Sequence, residues 1–152
     1  MNADLDGKIV LVTGGAGGIG SVISKSFAEQ GAKVIVHYNN SKDNAEKIAT
    51  EIGGVAMNAD LTDSEQSKEL FRNVIKKEGK IDVCVANAGN YPKGFAPLWE
   101  IESDRWNNTV TTNLSLTYNT ARDFLKHASE TKKGSLVLIG STAGIYGEAG
   151  HA

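Results

Sequence analysis

Cysteine, proline and long apolar runs are scarce in this chain of 152 residues. The single cysteine, Cys84, excludes an internal disulfide and lies in the apolar run IDVCVA, where a small buried side chain is expected. No run approaches the roughly 20 apolar residues that a membrane-spanning helix needs. The N-terminal MNADLDGK carries acidic residues where a secretory signal would have a basic start. We therefore expect a cytoplasmic protein with no membrane partner.

An excess of either charge is also missing. The chain has 16 Lys and Arg residues against 18 Asp and Glu residues, which gives a net charge of −2 and an isoelectric point near 5.9. Because the basic residues are scattered among acids, we expect no nucleic-acid partner, and we predict no metal site. The length predicts one domain over residues 1–152, small for a complete nucleotide-dependent enzyme.

Five short apolar runs recur along the chain and are rich in β-branched residues. Their letters mostly do not alternate with polar ones, which is typical of strands covered on both faces. The predicted strands are Lys8–Val12, Lys33–His37, Val55–Met57, Ile81–Ala86 and Ser135–Ile139.

Segments of helical period separate these strands. A first helix carries Ile19, Val22, Ile23 and Phe27 on one stripe before Gly31; others are expected over 44–52, after a capping box at Thr62-x-x-Glu65, and from Ser103 to about Lys126. Strand alternating with helix predicts a doubly wound α/β domain, a Rossmann fold, whose parallel sheet has the order 3-2-1-4-5. Ligands of such sheets bind at the carboxyl ends of strands 1 and 4.

The stretch LVTGGAGGIG, Leu11–Gly20, follows the first predicted strand. It can be read as G-x-G-x-x-G or as T-G-x-x-x-G-x-G, and the strand end at Val12 favours the second spacing because Thr13 then opens the turn. Glycines there let backbone N–H groups approach a phosphate, and the helix that begins near Gly18 adds its positive dipole end. A dinucleotide site is therefore predicted.

With that spacing the chain resembles the short-chain dehydrogenase/reductase family. Asn87-Ala88-Gly89 after strand 4 matches the family's N-A-G motif, Asn113 in TTNLSL its helix-borne asparagine, and Ser141 in LIGSTAG its catalytic serine. The resemblance covers essentially the whole chain. It implies that Asn113 opens its helix locally and holds a water in a proton relay, and that Ser141 hydrogen-bonds a substrate carbonyl.

The cofactor choice depends on the end of strand 2, VIVHYNNSK, where NAD-binding sites normally carry Asp or Glu. No carboxylate is present here, and Asn39, Asn40 and Ser41 can donate to a 2′-phosphate while Lys42 supplies charge. We therefore predict NADP, with NAD as the alternative. His37 is interpreted as a strand-end residue rather than an acid or base.

The expected cofactor-binding residues come from the glycine run, the end of strand 2, the aspartate that follows strand 3 and the N-A-G motif. The aspartate, Asp60, resembles the family's adenine contact, although a turn residue would give the same pattern. The set is Gly14, Gly17, Gly18, Ile19, Gly20, Tyr38, Asn39, Asn40, Ser41, Asp60, Leu61, Asn87, Ala88 and Gly89.

The predicted function is hydride transfer between NADP(H) and the carbonyl or alcohol group of a sugar, polyol or small ketone. A 3-oxoacyl reductase of fatty-acid synthesis and a non-catalytic nucleotide-binding fragment are the alternatives. A Rossmann-like methyltransferase also uses a Gly-rich turn but needs none of the later motifs. The resemblance implies a homo-oligomer, a dimer or tetramer, as the full-length chain.

In the resembling family a tyrosine general acid lies about thirteen residues after the serine, with a lysine four places further on. Counted from Ser141, that tyrosine falls beyond Ala152, and Tyr146 comes too soon to replace it. We therefore expect the chain to be the cofactor-binding part of a reductase of about 250 residues, to lack the last strands of the family fold, and to be inactive alone.

Overall fold

Five parallel strands form one sheet in the computed structural model, which describes residues 4–148. The strands are β1 (Ile9–Val12), β2 (Lys33–Tyr38), β3 (Val55–Asn58), β4 (Val83–Ala86) and β5 (Ser135–Leu138). Their order is β3-β2-β1-β4-β5, and every neighbouring pair is parallel. The predicted doubly wound α/β fold and its strand order are thereby confirmed.

Helices connect the strands and cover both faces of the sheet. They are α1 (Gly18–Glu29), α2 (Lys42–Glu51), α3 (Ser64–Glu78), α4 (Ser103–Val110), α5 (Leu116–Thr131) and α6 (Ala143–Tyr146), with a 3-10 turn at Leu98–Glu100. A π-helical segment, Thr111–Ser115, joins α4 to α5. The long helix predicted from Ser103 is present, but it continues to Thr131 and changes to π geometry in its Thr- and Asn-rich middle, where α-helix propensity is low.

The core has two layers, one on each face of the sheet, because alternate residues of a strand point to opposite sides. Leu11 and Ile35 pack with Phe124 on one face, while Val10 and Val34 pack on the other. Burying each such side chain stabilises the fold by about 1.5–3 kcal/mol. All four residues of β1, the strand that precedes the glycine run, are buried.

Strand β5 departs from the expectation that every strand is covered on both faces. Val137 is 43% exposed and Leu138 is 55% exposed. The strand pairs with β4 alone, so it forms one edge of the described sheet. The apolar letters of this run therefore predicted a strand correctly and its burial incorrectly.

The predicted apolar stripe of α1 is half wrong. Ile23 and Phe27 pack against the core, but Ile19 and Val22 are mostly exposed, at 65% and 64%. Small residues, Gly20 and Ser24, form the buried face instead. Small side chains allow the helix to approach the preceding turn closely, and this close approach decides which face is buried.

The start of α3 also differs from the predicted capping box. The N-cap is Asp63, whose carboxylate accepts the N–H groups of Glu65 and Gln66 at 2.8 and 3.2 Å. Those N–H groups hold the pKa of Asp63 below its usual value because they favour the charged carboxylate. Thr62 donates to Asp60 instead, at 2.7 Å. Threonine and aspartate are both favoured N-cap residues, and the helix uses Asp63, one residue after Thr62.

Candidate functional site

A cavity of about 800 Å³ lies at the carboxyl edge of the sheet, beside the ends of β1, β2, β3 and β4. All fourteen residues predicted to bind the cofactor lie on its wall. Six lining residues were not in that set: Ala16, His37, Thr62, Asn90, Thr112 and Leu116. The structure thus brings the predicted residues together, and their contact with a cofactor stays a prediction.

The glycines of this wall have two different roles. Gly14 adopts φ +61°, and a Cβ there would lie 3.0 Å from the Ala88 Cα. A Cβ at Gly20 would overlap the Gly14 carbonyl oxygen and lie 2.7 Å from Asn87 Nδ2. At Gly18, by contrast, nothing lies within 4 Å of an added Cβ. Gly14 and Gly20 therefore permit close packing within the protein, and Gly18 leaves open space at the cavity.

The N-terminus of α1 faces this cavity without a capping side chain. Its N-cap, Gly17, has no side chain to cap the helix, and the first turn contains no acidic residue. The first N–H groups of an α-helix have no partner within the helix, and the helix dipole is positive at that end. This arrangement suits a bound anion such as a pyrophosphate.

The glycine turn, residues 13–17, is tied to the segment after β4 through Thr13 and Asn87. The buried Thr13 hydroxyl accepts the N–H groups of Asn87 and Ala88, both at 3.0 Å. In return, Asn87 Nδ2 donates to the Thr13 and Gly14 carbonyl oxygens at 3.0 and 3.3 Å. The two motifs therefore form one continuous wall of the cavity.

His37 lies inside β2 and makes the contact that sequence reasoning missed. The N–H of Gly14 donates to His37 Nδ1 at 3.0 Å, so the ring proton is on Nε2, which lies 3.0 Å from the Ala59 carbonyl oxygen. Burial lowers the pKa of His37 to about 4, against a smaller opposing effect of Ala59 and Asp60. The imidazole is therefore neutral at pH 7. The only signal in the sequence was a histidine within an otherwise apolar strand.

The loop after β2 presents three polar side chains to the cavity. Within residues 4–148 the side chains of Asn39, Asn40 and Ser41 make no hydrogen bond to the protein, so they are available to a ligand. Asn58 Nδ2 fixes the loop backbone by donating to the Tyr38 and Asn39 carbonyl oxygens at 3.2 and 2.6 Å.

Lys42 was expected to supply positive charge at this loop, but it does not line the cavity. Its ammonium group lies 3.7 Å from the Glu46 carboxylate, and both side chains are exposed. The first turn of α2 does reach the glycine turn, because Asn44 Nδ2 donates to the Ala16 carbonyl oxygen at 2.6 Å.

Asp60 has the turn geometry that the sequence left open as one interpretation. Its Oδ1 accepts the Thr62 N–H at 2.9 Å and the Thr62 hydroxyl at 2.7 Å. The same residue lines the cavity, so the turn holds its backbone and carboxylate at the wall. A contact with adenine stays a prediction.

Asn113 and Ser141, the predicted catalytic residues, lie outside the set that lines this cavity. Asn113 is in the π-helical segment, which is a local opening of the kind expected there. Its Nδ2 donates to the carbonyl oxygens of Asn90 and Thr109, and its Oδ1 accepts the Asn90 N–H, all at about 3 Å. Ser141 is exposed beyond the end of β5, and its hydroxyl accepts the Ala143 N–H at 3.2 Å.

The part of the chain that the structure describes shows neither a cluster of metal-ligating side chains nor a helix that could span a membrane. Residues 4–148 contain no group of three or more His, Cys, Asp or Glu side chains placed to hold a metal ion. None of the helices in that range is long and apolar enough to cross a membrane.

Known proteins that resemble this chain in sequence or in structure are dehydrogenases and reductases. The family model for short chain dehydrogenases matches residues 8–152. The chain is 34% identical over 152 residues to 3-oxoacyl-[acyl-carrier-protein] reductase FabG of Thermotoga maritima and 37% identical over 148 residues to NADP-dependent mannitol dehydrogenase of Alternaria alternata. A crystal structure of NAD+-bound xylitol dehydrogenase superposes with a TM-score of 0.90 at 28% identity.

These matches cover nearly all of this chain but only part of each relative. The alignments include 97% of this chain and 61% of the Thermotoga reductase, and 92% of this chain and 55% of the mannitol dehydrogenase. For the xylitol dehydrogenase structure the two shares are 97% and 58%. The chain therefore spans somewhat more than half the length of these relatives.

Proposed function

Since the chain belongs to the short-chain dehydrogenase family, we propose that its protein transfers a hydride between NADP(H) and the carbonyl or alcohol group of a sugar, polyol or small ketone. Residues 1–152 then form a single dinucleotide-binding domain. The observation that carries the proposal is the uncapped N-terminus of α1, which follows a glycine turn hydrogen-bonded to Asn87 and Ala88 at the wall of a cavity of about 800 Å³.

The residues present fit a dinucleotide. The open space at Gly18 and the free N–H groups of the first turn of α1 suit a pyrophosphate, while Asp60 and Leu61 would border the adenosine. When bound, the nicotinamide ring supplies or accepts the hydride. Ser141 would hydrogen-bond the substrate oxygen on which charge develops, and Asn113 would hold the water of a proton relay.

NADP is proposed over NAD because the end of β2 carries no carboxylate that would repel a 2′-phosphate. Asn39, Asn40 and Ser41 offer donors that no protein group uses within residues 4–148. The similar mannitol dehydrogenase is NADP-dependent, whereas the similar xylitol dehydrogenase structure holds NAD+. The loop chemistry of this chain, rather than either relative, therefore supports NADP.

A 3-oxoacyl thioester is the second candidate substrate, and the similarity to the Thermotoga reductase favours it. A cytoplasmic location and a homo-oligomeric state remain predictions. A protein that binds NADPH but turns over neither a thioester nor a sugar, polyol or ketone would favour the non-catalytic alternative.

Fluorescence titration of the full-length protein with NADPH and NADH tests the cofactor proposal. We expect tighter binding of NADPH, and equal or tighter binding of NADH would refute the choice of NADP. Asn39→Asp places a carboxylate beside the 2′-phosphate and should reverse the preference. The matched control, Asn73→Asp, makes the same charge change at an exposed position of α3 away from the cavity and should leave both affinities unchanged.

Activity is measured as NADPH oxidation with sugars, small ketones and a 3-oxoacyl thioester as separate substrates. Turnover of the thioester alone would replace the first substrate class with the second. Ser141→Ala should lower turnover while leaving NADPH affinity unchanged, because Ser141 lies outside the cavity wall.

A further inference from the structure

The imidazole of His37 joins two parts of the cavity wall that lie on different strands. Gly14, at the start of the glycine turn, donates its N–H to Nδ1, and the Ala59 carbonyl oxygen after β3 accepts from Nε2, both at 3.0 Å. Ala59 is followed directly by Asp60 and Leu61, which line the cavity. We propose that His37 is a positioning residue that sets the distance between the glycine turn and the Asp60–Leu61 wall, and thereby cofactor affinity; the role in affinity rests on the proposed function.

Backbone hydrogen bonds hold the residues on either side of this link. The Gly15 N–H donates to the His37 carbonyl oxygen at 3.0 Å, and the Ala59 N–H donates to the Tyr38 carbonyl oxygen at 3.1 Å. Gly14, with φ +61°, turns its N–H out of the line of the strand ladder and toward the imidazole. The side chain thus adds a connection through the Gly14 N–H and the Ala59 carbonyl oxygen, two groups that these backbone hydrogen bonds do not use.

The burial of His37 makes this link stiff. The residue is only 2% exposed, so water does not compete for either ring nitrogen. A buried N–H that loses its acceptor is costly, and the chain restores a partner by moving the backbone. Loss of the Nδ1 acceptor is therefore expected to displace Gly14, whose carbonyl oxygen also contacts Asn87 Nδ2.

Three substitutions separate the two ends of the link. In His37→Asn the side-chain oxygen takes the place of Nδ1 and keeps the acceptor for Gly14, whereas in His37→Gln the amide nitrogen takes the place of Nε2 and keeps the donor to Ala59. His37→Leu fills similar space and loses both. We expect the Kd for NADPH to rise about tenfold or more in the Leu variant and about threefold or more in the Asn and Gln variants, because each of these two breaks one end of the link.

His127→Leu is the matched control. His127 is also buried, at 6% exposed, and its Nε2 also accepts a backbone N–H, that of Ile81 at 3.1 Å, but it does not line the cofactor cavity. This variant should lower the free energy of unfolding as His37→Leu does and leave the Kd for NADPH unchanged. A purely structural role for His37 would make the two histidine variants alike in both measurements.

Hydrogen exchange of the Gly14 amide, followed without cofactor in the full-length protein, tests the link independently of the proposed function. The Gly14 N–H should exchange slowly in the wild type and in His37→Asn, and much faster in the Gln and Leu variants. Equal exchange in all of them, or unchanged NADPH affinity in a folded Gln variant, would overturn the inference. If the wild type does not bind NADPH, the proposed function fails while the exchange pattern still decides whether the link exists. If the Leu variant does not fold, the Asn and Gln pair decides.

Discussion

Gly18 and Gly20 are two residues apart in the first turn of α1, yet an added side chain would meet different surroundings at each. A Cβ at Gly20 would overlap the Gly14 carbonyl oxygen, whereas a Cβ at Gly18 would meet nothing within 4 Å. Gly20→Ala should therefore damage the fold, and Gly18→Val should damage cofactor binding while the fold persists. The two variants together test whether Gly20 packs against Gly14 while Gly18 faces open space at the cavity.

The magnitudes follow from competing effects. Alanine in a helix interior is favoured over glycine by about 1 kcal/mol, but overpacking typically costs about 1–3 kcal/mol. Displacing the Gly14 carbonyl also strains its 3.3 Å hydrogen bond with Asn87 Nδ2, which contributes about 0.5–1.5 kcal/mol. The free energy of unfolding of Gly20→Ala should accordingly fall by about 1–3 kcal/mol. For Gly18→Val, which lies at an open surface, we expect a change within about 0.5 kcal/mol.

Urea unfolding and NADPH titration of both variants provide the assay. Gly18→Val should weaken NADPH binding about tenfold or more, because its isopropyl group occupies the space at the start of α1 where the phosphate would approach. Wild-type stability in Gly20→Ala would refute the close packing of α1 on Gly14. Wild-type NADPH affinity in a folded Gly18→Val would remove Gly18 from the binding wall.

Two further predictions concern buried titratable groups. Burial lowers the pKa of His37 from 6.5 to about 4, so as the pH falls the unfolded chain binds this proton before the folded chain does. The free energy of unfolding should therefore be unaffected by this group above about pH 6.5 and fall by about 3 kcal/mol between pH 6.5 and pH 4. Urea unfolding across that range should show this loss in the wild type and not in His37→Asn. Burial raises the pKa of the Cys84 thiol to about 12, so iodoacetamide at pH 8 should label unfolded protein only; rapid labelling in native buffer would contradict this.

The strand order could be predicted because parallel strands buried on both faces leave continuous apolar runs in the sequence. The run before the glycine turn is fully buried, as its letters indicate. The run at Ser135–Leu138 is also mostly apolar but occupies an edge of the described sheet. The apolar residues of a run predict a strand, whereas the exposure of that strand depends on the strands and helices that pack beside it, which the run itself does not reveal.

Helix faces and caps were less predictable because small differences in packing decide them. The apolar letters of α1 suggested that Ile19 and Val22 face the core, but the close approach at Gly20 turned a face of small residues inward. At α3, Thr62 and Asp63 are both competent caps, and only the position of the first helical turn selects Asp63.

Fourteen predicted residues share one cavity wall because the carboxyl ends of parallel strands meet at one edge of the sheet. The structural role of His37 could not be predicted in the same way. Its partners are the backbone groups of Gly14 and Ala59, more than 20 residues away in both directions. Every residue except proline has the same backbone N–H and C=O groups, so the sequence does not show which of them a buried side chain will bind.

The π-helical segment Thr111–Ser115 has a consequence for the evolution of the chain. A π-turn spans one more residue than an α-turn, and each residue of an α-helix turns by about 100°. Deleting one residue there would restore a regular α-helix and keep α4 and α5 in register, so Phe124 would stay in the core. The same deletion would remove the wide turn in which Asn113 bonds Asn90, so a single-codon deletion would change the site and not the core.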